Sequence, residues 1–409
     1  MSKAKIQQNV GSPNLSQRKG IPDGWREVRL GDVCQKISDG LHGTPIYSNG
    51  DYFFINGNNI VNGKIVIKQD TKRVDLDEFK KYKKELNENT ILLSINGTIG
   101  NLALYRGEKC ILGKSVAYLN VKNNTSKKFL YYLMLDNRFQ SDISINANGS
   151  TIKNVSLAQL RNYSFIFPPL PEQKAIAEVL SSLDDKIDLL HRQNKTLEDM
   201  AQALFRKWFI EEAKEDWEEK KIGEVLETKL GGTPSTSKSE YWNGDVPWIN
   251  SGEINKFRIS EPTKYITKLG LEKSATKLLP KGSTVIAITG ATLGQVSLLE
   301  IDTCANQSVV GIIPNNHFSR EFVYLWIKKI IGKLIANQTG GAQQHINKND
   351  INNSLIIVPP KKLLAKRDFV FKDIFNKISK NVSQIRTLEK LRDTLLPKLM
   401  SGAARVKFN

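Results

Sequence analysis

The chain contains short patterns that, in other proteins, bind phosphate groups. Gly113-Lys114-Ser115 has the residues that end a phosphate-binding loop. Such a loop also needs a glycine five residues before its second glycine, and this chain has Glu108 there. Gly97-Thr98-Ile99-Gly100 is glycine-rich but lacks the strand–turn–helix context of a dinucleotide-binding turn. Neither pattern therefore predicts a nucleotide site.

The histidines and cysteines predict neither a metal site nor a disulfide framework. They are His42, His191, His317 and His345, and Cys34, Cys110 and Cys304. The histidines lack ligand spacing with Cys, Asp or Glu, and cysteines far apart without a CxxC pair are typical of the reducing cytoplasm. G-x-S-x-G, H-E-x-x-H and clustered nuclease carboxylates are also absent. We expect a non-catalytic reader or scaffold that itself binds no cofactor and no metal.

The net charge favours a polyanionic partner. The 409 residues include 60 Lys and Arg against 42 Asp and Glu, a formal charge of +18. Nucleic acid is the usual partner of such a protein, although a merely soluble basic protein is the alternative. No apolar run reaches the length of a membrane span. Residues 1–23 begin with a basic stretch that has no apolar core, which predicts a flexible basic N-terminal tail.

The sequence that follows the tail repeats once, with a period of about 192 residues. Gly43-Thr44-Pro45 returns as Gly232-Thr233-Pro234, and Pro168-Pro169 returns as Pro359-Pro360. The segment 94–100 returns as 287–294, in the same order. The period is far above the 20–50 residues of solenoid repeats. We therefore predict two homologous domains, over residues 24–170 and 213–360.

Each copy has the mixed pattern of an α+β domain. Short β-type runs alternate with Asn/Gly turns, and the predicted strands are 90–95, 116–121, 163–167, 283–288, 309–313 and 354–358. Helical runs lie between them, at 128–139 and 321–335. The loops are rich in Asn, Thr, Ser and Lys, and loops on a rigid scaffold are where recognition residues tend to lie.

A long amphipathic helix is predicted after each domain, over 171–212 and 361–402, with 403–409 as a C-terminal tail. Apolar residues at steps of three and four predict a coiled-coil seam, and about 40 residues span roughly 60 Å. The seam consists of Ile176, Leu180, Leu183, Ile187, Leu190, Asn194, Leu197, Leu204, Ile374, Ile378, Ile385, Leu388 and Leu395. The alternative is an amphipathic helix packed on a globular core.

The connections between these elements predict how the two helices run. If the ends of the second domain lie close together, as chain termini often do, the helices must be antiparallel. Asn194 either fixes the register from within the seam or faces water. Pro397 is expected to end or kink the second helix.

With these elements in place, the chain resembles the specificity subunits of Type I DNA restriction–modification systems. The resemblance covers residues 24–405 and rests on motifs in a fixed, duplicated order. These are Trp217, Gly231-Gly232-Thr233-Pro234, Tyr241-Trp242, Val246-Pro247-Trp248-Ile249, Pro168-Pro169-Leu170-Pro171-Glu172-Gln173, Leu204-Phe205-Arg206-Lys207-Trp208-Phe209 and Leu395-Leu396-Pro397-Lys398-Leu399-Met400-Ser401-Gly402. The second copy departs from the pattern, with Pro359-Pro360-Lys361-Lys362 in place of Pro-Glu-Gln.

The resemblance implies a non-catalytic DNA-reading subunit of a prokaryotic, cytoplasmic complex. Each domain would be a target recognition domain for one half of a split double-stranded DNA site, and the helix pair would set the gap. Two methyltransferase subunits would dock on the helices and methylate adenine with S-adenosylmethionine. Motor–endonuclease subunits, which use ATP and Mg²⁺, would then join. Because the two domains differ in sequence, we expect an asymmetric site.

Polar residues on glycine-flanked loops that repeat in both domains are the candidates for DNA contact. They are Thr44, Asn96, Thr98, Thr151, Lys153 and Asn154 in the first domain, and Thr233, Thr292, Gln343, Gln344 and His345 in the second. Asn and Gln can pair with adenine, and Lys with guanine or phosphate. The alternative for each residue is that its loop only shapes the domain.

Two other functions stay open on the sequence. An enzyme with an unrecognised site would methylate or cut DNA alone. An interaction scaffold, whose long helices bind a protein and whose basic charge is incidental, would not bind DNA. True phosphate contact predicts an affinity that falls steeply with salt.

Overall fold

The computed structural model describes residues 21–147, 153–336 and 345–406. Most of the predicted N-terminal tail and the last three residues of the C-terminal tail lie outside this range. Residue contacts divide the chain into two units, Met1–Lys186 with Leu388–Asn409, and Ile187–Thr387. The division crosses both long helices, so each unit contains one α+β domain and a segment of each helix.

The first domain contains eleven strands and five helices within the described residues. The strands are β1 (Arg26–Arg29), β2 (Cys34–Asp39), β3 (Tyr52–Ile55), β4 (Ile60–Val61), β5 (Lys64–Ile65), β6 (Arg73–Val74), β7 (Thr90–Ser94), β8 (Leu102–Leu104), β9 (Cys110–Leu112), β10 (Val116–Val121) and β11 (Ser164–Phe167). The helices are α1 (Leu30–Val33), α2 (Leu76–Tyr82), α3 (Lys127–Leu135), α4 (Asn137–Ile145) and α5 (Leu157–Asn162). A 3₁₀ turn covers Gly57–Asn59.

Two sheets form the frame of the first domain. One has the order β2-β10-β7-β8 and is antiparallel throughout. The other has the order β6-β3-β9, with β3 and β9 parallel. Every residue of β7 and β10 is buried, as expected for apolar strands in the middle of a sheet that is covered on both sides.

The helical run predicted at 128–139 is wrong as a single helix. The structure has α3 and α4, with Asp136 between them in extended conformation. The Asp136 carboxylate accepts a hydrogen bond from the backbone N–H of Arg138 at 2.9 Å and so caps α4. An aspartate at a helix N-cap satisfies a backbone donor that would otherwise be unpaired, which explains why a new helix starts here.

The second domain repeats this plan. Its strands are β12 (Glu218–Lys221), β13 (Glu227–Leu230), β14 (Trp242–Ile249), β15 (Arg258–Ile259), β16 (Lys264–Ile266), β17 (Leu278–Leu279), β18 (Thr284–Ala287), β19 (Val296–Leu299), β20 (Thr303–Ala305), β21 (Val309–Ile313) and β22 (Leu355–Val358). Its helices are α7 (Ile222–Val225), α8 (Lys268–Glu272), α9 (Arg320–Ala336) and α10 (Lys348–Asn353), with 3₁₀ turns at Ser239–Tyr241, Ser251–Asn255 and Gly290–Thr292.

The sheets of the second domain correspond to those of the first. One has the order β13-β21-β18-β19-β15, and the other has the order β16-β14-β20-β17. The parallel pair β14 and β20 is the counterpart of β3 and β9. The fold is therefore α+β in both domains.

Two long helices complete the units. The first, α6, runs over Leu170–Arg206 and continues as a π-helical turn, Lys207–Glu211. The second runs over Lys361–Met400. We call them the first and the second long helix. The second one does not end at Pro397, because Leu396, Leu399 and Met400 remain buried in the core of the first unit.

The two long helices are antiparallel within each unit. In the first unit, Arg392 contacts Asp184, and Arg405, which follows the end of the second helix, contacts Glu172 near the start of the first helix, so the two helices run in opposite directions. In the second unit, Asn381 contacts Asn194, while Phe371, nearer the start of the second helix, contacts Trp208.

The predicted seam residues are all buried or half-buried. Asn194 is only 3% exposed, and its Oδ1 accepts a hydrogen bond from Asn381 Nδ2 at 2.9 Å. Of the two alternatives for Asn194, the structure shows the buried one. A paired buried amide of this kind satisfies both side chains and favours one register over its neighbours.

Candidate nucleic-acid interface

Five loops of the first domain lie at strand ends that backbone and side-chain hydrogen bonds hold together. We name them L1 (40–45, after β2), L2 (56–59, after β3), L3 (95–100, between β7 and β8), L4 (113–115, between β9 and β10) and L5 (153–155, before α5). The same names are used for their counterparts in the second domain, which are 231–234, 250–253, 288–294, 306–308 and 345–346.

In the first domain, four backbone bonds tie the loops together. Leu41 donates to Leu112 O at 2.7 Å, and Gly113 donates to Ile55 O at 2.8 Å. The hairpin loop L3 is held on both sides, because Ile95 N donates to Ser115 O and Ile95 O accepts from Val155 N, each at 2.9 Å. These bonds hold L1, L3, L4 and L5 together at the strand ends, while L2 follows β3, whose Ile55 carbonyl accepts the bond from Gly113.

The second domain makes the corresponding four bonds. Gly232 donates to Ala305 O at 2.8 Å, and Asn306 donates to Ile249 O at 3.0 Å. Ile288 N donates to Ser308 O at 2.9 Å, and Ile288 O accepts from Ile346 N at 3.0 Å. Equivalent positions of the two domains can therefore be assigned from hydrogen bonds and not only from matching residue types.

This assignment changes one pair taken from the sequence repeat. The counterpart of Gly232 is Leu41 and not Gly43, so His42 corresponds to Thr233. L1 is longer in the first domain, since Leu41 to Pro45 spans five residues and Gly232 to Pro234 spans three. Thr44, which the sequence paired with Thr233, lies in this insertion and is exposed.

The predicted contact residues of the first domain lie on L1, L3 and L5. Asn96 is half-buried and forms a bridge with Asn154, which joins L3 to L5. Thr98 is exposed beside Gly97, whose φ of 74° places the turn in the left-handed region that favours glycine. Lys153 is exposed. Thr151 lies outside the described residues.

In the second domain, Thr233 is exposed on L1, and its hydroxyl donates to Gln307 Oε1 on L4. Thr292 is half-buried in the 3₁₀ turn of L3, and His345 is exposed on L5. Gln343 and Gln344 lie outside the described residues. The structure thus brings every described candidate onto the five loops, while the role of each in DNA contact stays a prediction.

Sequence reasoning missed the residues of L4. Lys114 and Gln307 are exposed in the middle of this loop. Beside them, Ser115 Oγ donates to Asn56 Oδ1 at 3.1 Å and accepts from Gly57 N at 2.9 Å, which ties L4 to L2. The available signal was the alignment of Gly113-Lys114-Ser115 with Asn306-Gln307-Ser308, in which the middle residue differs between the two copies.

The site has no feature of a metal or thiol centre in the part of the chain that the structure describes. There, no group of three His, Cys, Asp or Glu side chains is arranged to hold a metal ion. Burial raises the pKa of the Cys34 and Cys110 thiols to about 12 and that of Cys304 to about 11. Because the thiolate is the reactive form, none of these cysteines is an activated nucleophile.

The comparisons with known proteins agree with this architecture. The family model described as the Type I restriction modification DNA specificity domain matches the chain twice, at residues 22–199 and 214–387. The chain is 26% identical to the Type I restriction enzyme MjaIX specificity subunit of Methanocaldococcus jannaschii, over 95% of each protein. It is 24% identical to the HindI specificity subunit of Haemophilus influenzae, over 92% of this chain and 99% of that one.

A solved structure shows the same fold. The Type I restriction–modification S subunit from M. genitalium aligns with a TM-score of 0.57 at 20% identity, covering 98% of this chain and 100% of that chain.

Among the described residues, no helix is both long and apolar enough to cross a membrane.

The chain belongs to the Type I restriction–modification DNA specificity family. Specificity subunits are the non-catalytic components of these systems, so the chain is a DNA-recognition subunit and not itself an enzyme.

Proposed function

We propose that the two domains read different halves of one asymmetric, bipartite DNA site. The observation that carries this proposal is the shared backbone hydrogen-bond framework of L1, L3, L4 and L5, on which the two domains present different side chains. His42, Lys114 and Asn154 of the first domain correspond to Thr233, Gln307 and His345 of the second. A common frame with different exposed donors and acceptors suits two sites of similar shape and different base sequence.

Affinity in this proposal comes mainly from the phosphate backbone. The chain has 60 lysines and arginines, with a formal charge of +18, that can make such contacts. Phosphate contacts position a protein on DNA, whereas contacts to base edges specify the sequence. We expect the logarithm of the binding constant to fall linearly with the logarithm of the salt concentration, as it does when counterions are released from DNA.

The proposed partners are two methyltransferase subunits, which dock on the long helices, and motor–endonuclease subunits, which join them in the prokaryotic cytoplasm. Large apolar side chains remain exposed on these helices, which supports docking there. They are Leu189, Met200, Phe369, Val370 and Leu391. S-adenosylmethionine would bind to the methyltransferase subunits, and ATP and Mg²⁺ to the motor–endonuclease subunits. This chain would bind none of these cofactors.

The test is a map of methylated bases in cellular DNA. The map is compared between cells with this chain and cells that lack it, while the partner methyltransferase is expressed in both. A split adenine motif that disappears with the chain is the expected result. An unchanged map, with the methyltransferase demonstrably present, would contradict the proposal.

A scaffold function is the second candidate, because the exposed apolar side chains of the long helices would suit a protein partner without DNA. Titration of the purified chain with DNA at several salt concentrations separates the two. Weak binding without salt dependence would favour the scaffold, whereas a steep salt dependence favours DNA recognition.

A further inference from the structure

We propose that Lys114 and Gln307 are equivalent specificity-determining residues, with Lys114 reading a guanine in one half-site and Gln307 reading an adenine in the other. The inference rests on the proposed function, since it assumes that each domain reads one half-site. It assigns base contact to the middle residue of L4, a position that the sequence analysis set aside as part of a false phosphate-binding loop.

The backbone on both sides of this residue is held in the same way in the two domains. On the N-terminal side, Gly113 N donates to Ile55 O, and Asn306 N donates to Ile249 O. On the C-terminal side, the carbonyls of Ser115 and Ser308 accept from the isoleucines that begin L3. Because one residue lies between two fixed points, its side chain starts from an equivalent position in each domain.

Both side chains are available to a ligand, yet they are presented differently. Lys114 is exposed, and its ammonium has no hydrogen bond or ion pair with any residue that the structure describes. Gln307 is also exposed, but its Oε1 accepts a hydrogen bond from the Thr233 hydroxyl. This bond orients the carboxamide and leaves the Nε2 donor and the second Oε1 lone pair free for a base.

The chemistry of the two side chains separates the bases they suit. An ammonium has donors only, and guanine offers two acceptors, N7 and O6, in the major groove. A carboxamide has a donor and an acceptor, which match N7 and the N6 amino group of adenine. Lys114 in the first domain therefore predicts a guanine preference in one half-site, and Gln307 in the second domain predicts an adenine preference in the other.

The competing role for Lys114 is a phosphate contact, and the two roles give different results on removal. Loss of a phosphate contact weakens binding about equally for all sequences and lowers the salt slope by about one. Loss of a base contact weakens discrimination at one position of one half-site. Affinity for a panel of site variants, measured at several salt concentrations, therefore tells the roles apart.

The experiment compares Lys114→Gln and Gln307→Lys with the wild-type chain, each assembled with its methyltransferase partner. The readouts are the methylated motif in cells and competition binding by the purified complex with oligonucleotides altered one base pair at a time. We expect Lys114→Gln to lose a guanine preference of about 5- to 150-fold at one position, and Gln307→Lys to lose an adenine preference of similar size in the other half-site.

Lys109→Gln is the matched control. Lys109 is exposed and directly precedes β9, whereas Lys114 lies in the loop that follows this strand. The control removes the same charge at the opposite end of the strand, and we expect it to leave the base preferences unchanged. A melting temperature equal to that of the wild-type chain in every variant would show that the fold is intact, as expected for substitutions of exposed side chains.

The outcomes separate the inference from the proposed function. If the wild-type complex shows no split motif, the proposed function fails. If the wild-type motif is split but both substitutions leave every base preference unchanged, the inference is overturned while the proposed function stands. A uniform loss of affinity with a lower salt slope in Lys114→Gln would show a phosphate contact and overturn the assignment of this residue. An altered preference in the same half-site for both variants would overturn the equivalence.

Discussion

The loop surfaces of the two domains share their backbone hydrogen bonds but carry different exposed side chains. L1, L3, L4 and L5 make the same backbone hydrogen bonds in both domains, from Leu41 and Gly232 to Val155 and Ile346. The exposed side chains between these points differ in charge and in donor–acceptor character, as at Lys114 and Gln307. The proposed function would use this difference, because the framework does not need these side chains for stability and they can differ between the two domains.

The junctions between the domains and the long helices differ in the interactions that stabilise them. The junction is polar in the first unit and apolar in the second. In the first unit, the buried Glu172 carboxylate accepts from Trp25 Nε1 at 3.0 Å and from Arg405 Nη2 at 2.8 Å. Gln173 is buried beside it and donates to Pro168 O at 2.8 Å. This junction is polar, and the Trp25, Arg405 and Gln173 side chains each donate to a defined partner.

In the second unit, Leu363 and Leu364 take the places of Glu172 and Gln173 in the aligned sequence. Leu364 is buried, and both leucines belong to a core that is rich in aromatic side chains. Phe205, Phe209 and Phe371 contact one another there, with ring centroids 5.1–6.3 Å apart. We therefore expect the two junctions to respond differently to substitution.

The largest expected effect is on the aromatic junction. Phe371→Ala removes a fully buried ring, and such a truncation costs about 3–5 kcal/mol of unfolding free energy through lost burial and cavity formation. Phe369→Ala on the same helix is the control, because Phe369 is 67% exposed and should change stability by less than about 0.5 kcal/mol. Denaturant unfolding measures both, and equal effects would contradict the burial assigned to Phe371.

Substitution at the polar junction is expected to cost less unfolding free energy than Phe371→Ala. Glu172→Leu places the residue of the second copy into the first and leaves the buried Trp25 N–H without its acceptor, at a cost of about 1–3 kcal/mol. Adding Trp25→Phe removes this donor, so the double variant should lose less stability than the sum of the two single variants. Unfolding of both single variants and the double variant gives the coupling energy, and strictly additive effects would show that the indole and the carboxylate are not coupled.

The helix seam is expected to give a smaller effect. Asn194→Val leaves the Asn381 amide buried without its partner, and we expect a loss of about 1–2 kcal/mol because the added apolar contact offsets part of the unpaired amide. The double variant Asn194→Val with Asn381→Val should recover stability, since two apolar residues on a seam need no partner. A double variant less stable than both single variants would contradict this account.

Much of the fold could be predicted from the sequence, because its signals are local. Short β-type runs bounded by Asn/Gly turns predict β7, β10 and β21 to within a residue or two, and the seam spacing predicts both long helices. The break at Asp136 was missed, since an N-cap inside an apolar run does not disturb the periodicity. The continuation through Pro397 was missed because it depends on leucines buried by residues of another part of the chain.

The candidate site could be predicted only in part. The repeat pointed to L1, L3 and L5, because these loops keep recognisable glycines and threonines in both copies. It paired Gly43 with Gly232, whereas the hydrogen bonds in L1 make Leu41 the counterpart of Gly232. It could not show the bond between Thr233 and Gln307, which joins side chains 74 positions apart in the chain.

That bond gives the smallest and most specific prediction about the two domains. Gln307 is oriented by Thr233, whereas the counterpart of Thr233 in the first domain, His42, contacts Asp39 and not Lys114. Thr233→Val should therefore relax the adenine preference of the second domain by a fewfold while leaving the melting temperature and the other half-site unchanged, because an exposed hydrogen bond contributes little to stability.

Thr233→Ser is the matched variant, since it keeps the hydroxyl and loses only the methyl group. Rescue of the adenine preference by serine would show that the hydroxyl acts by positioning the Gln307 amide. If valine and serine weaken binding equally and at all base positions, Thr233 acts on the DNA backbone instead, and the difference in presentation between Gln307 and Lys114 does not contribute to specificity. Competition binding with the same single-base-pair variants of the site distinguishes these results.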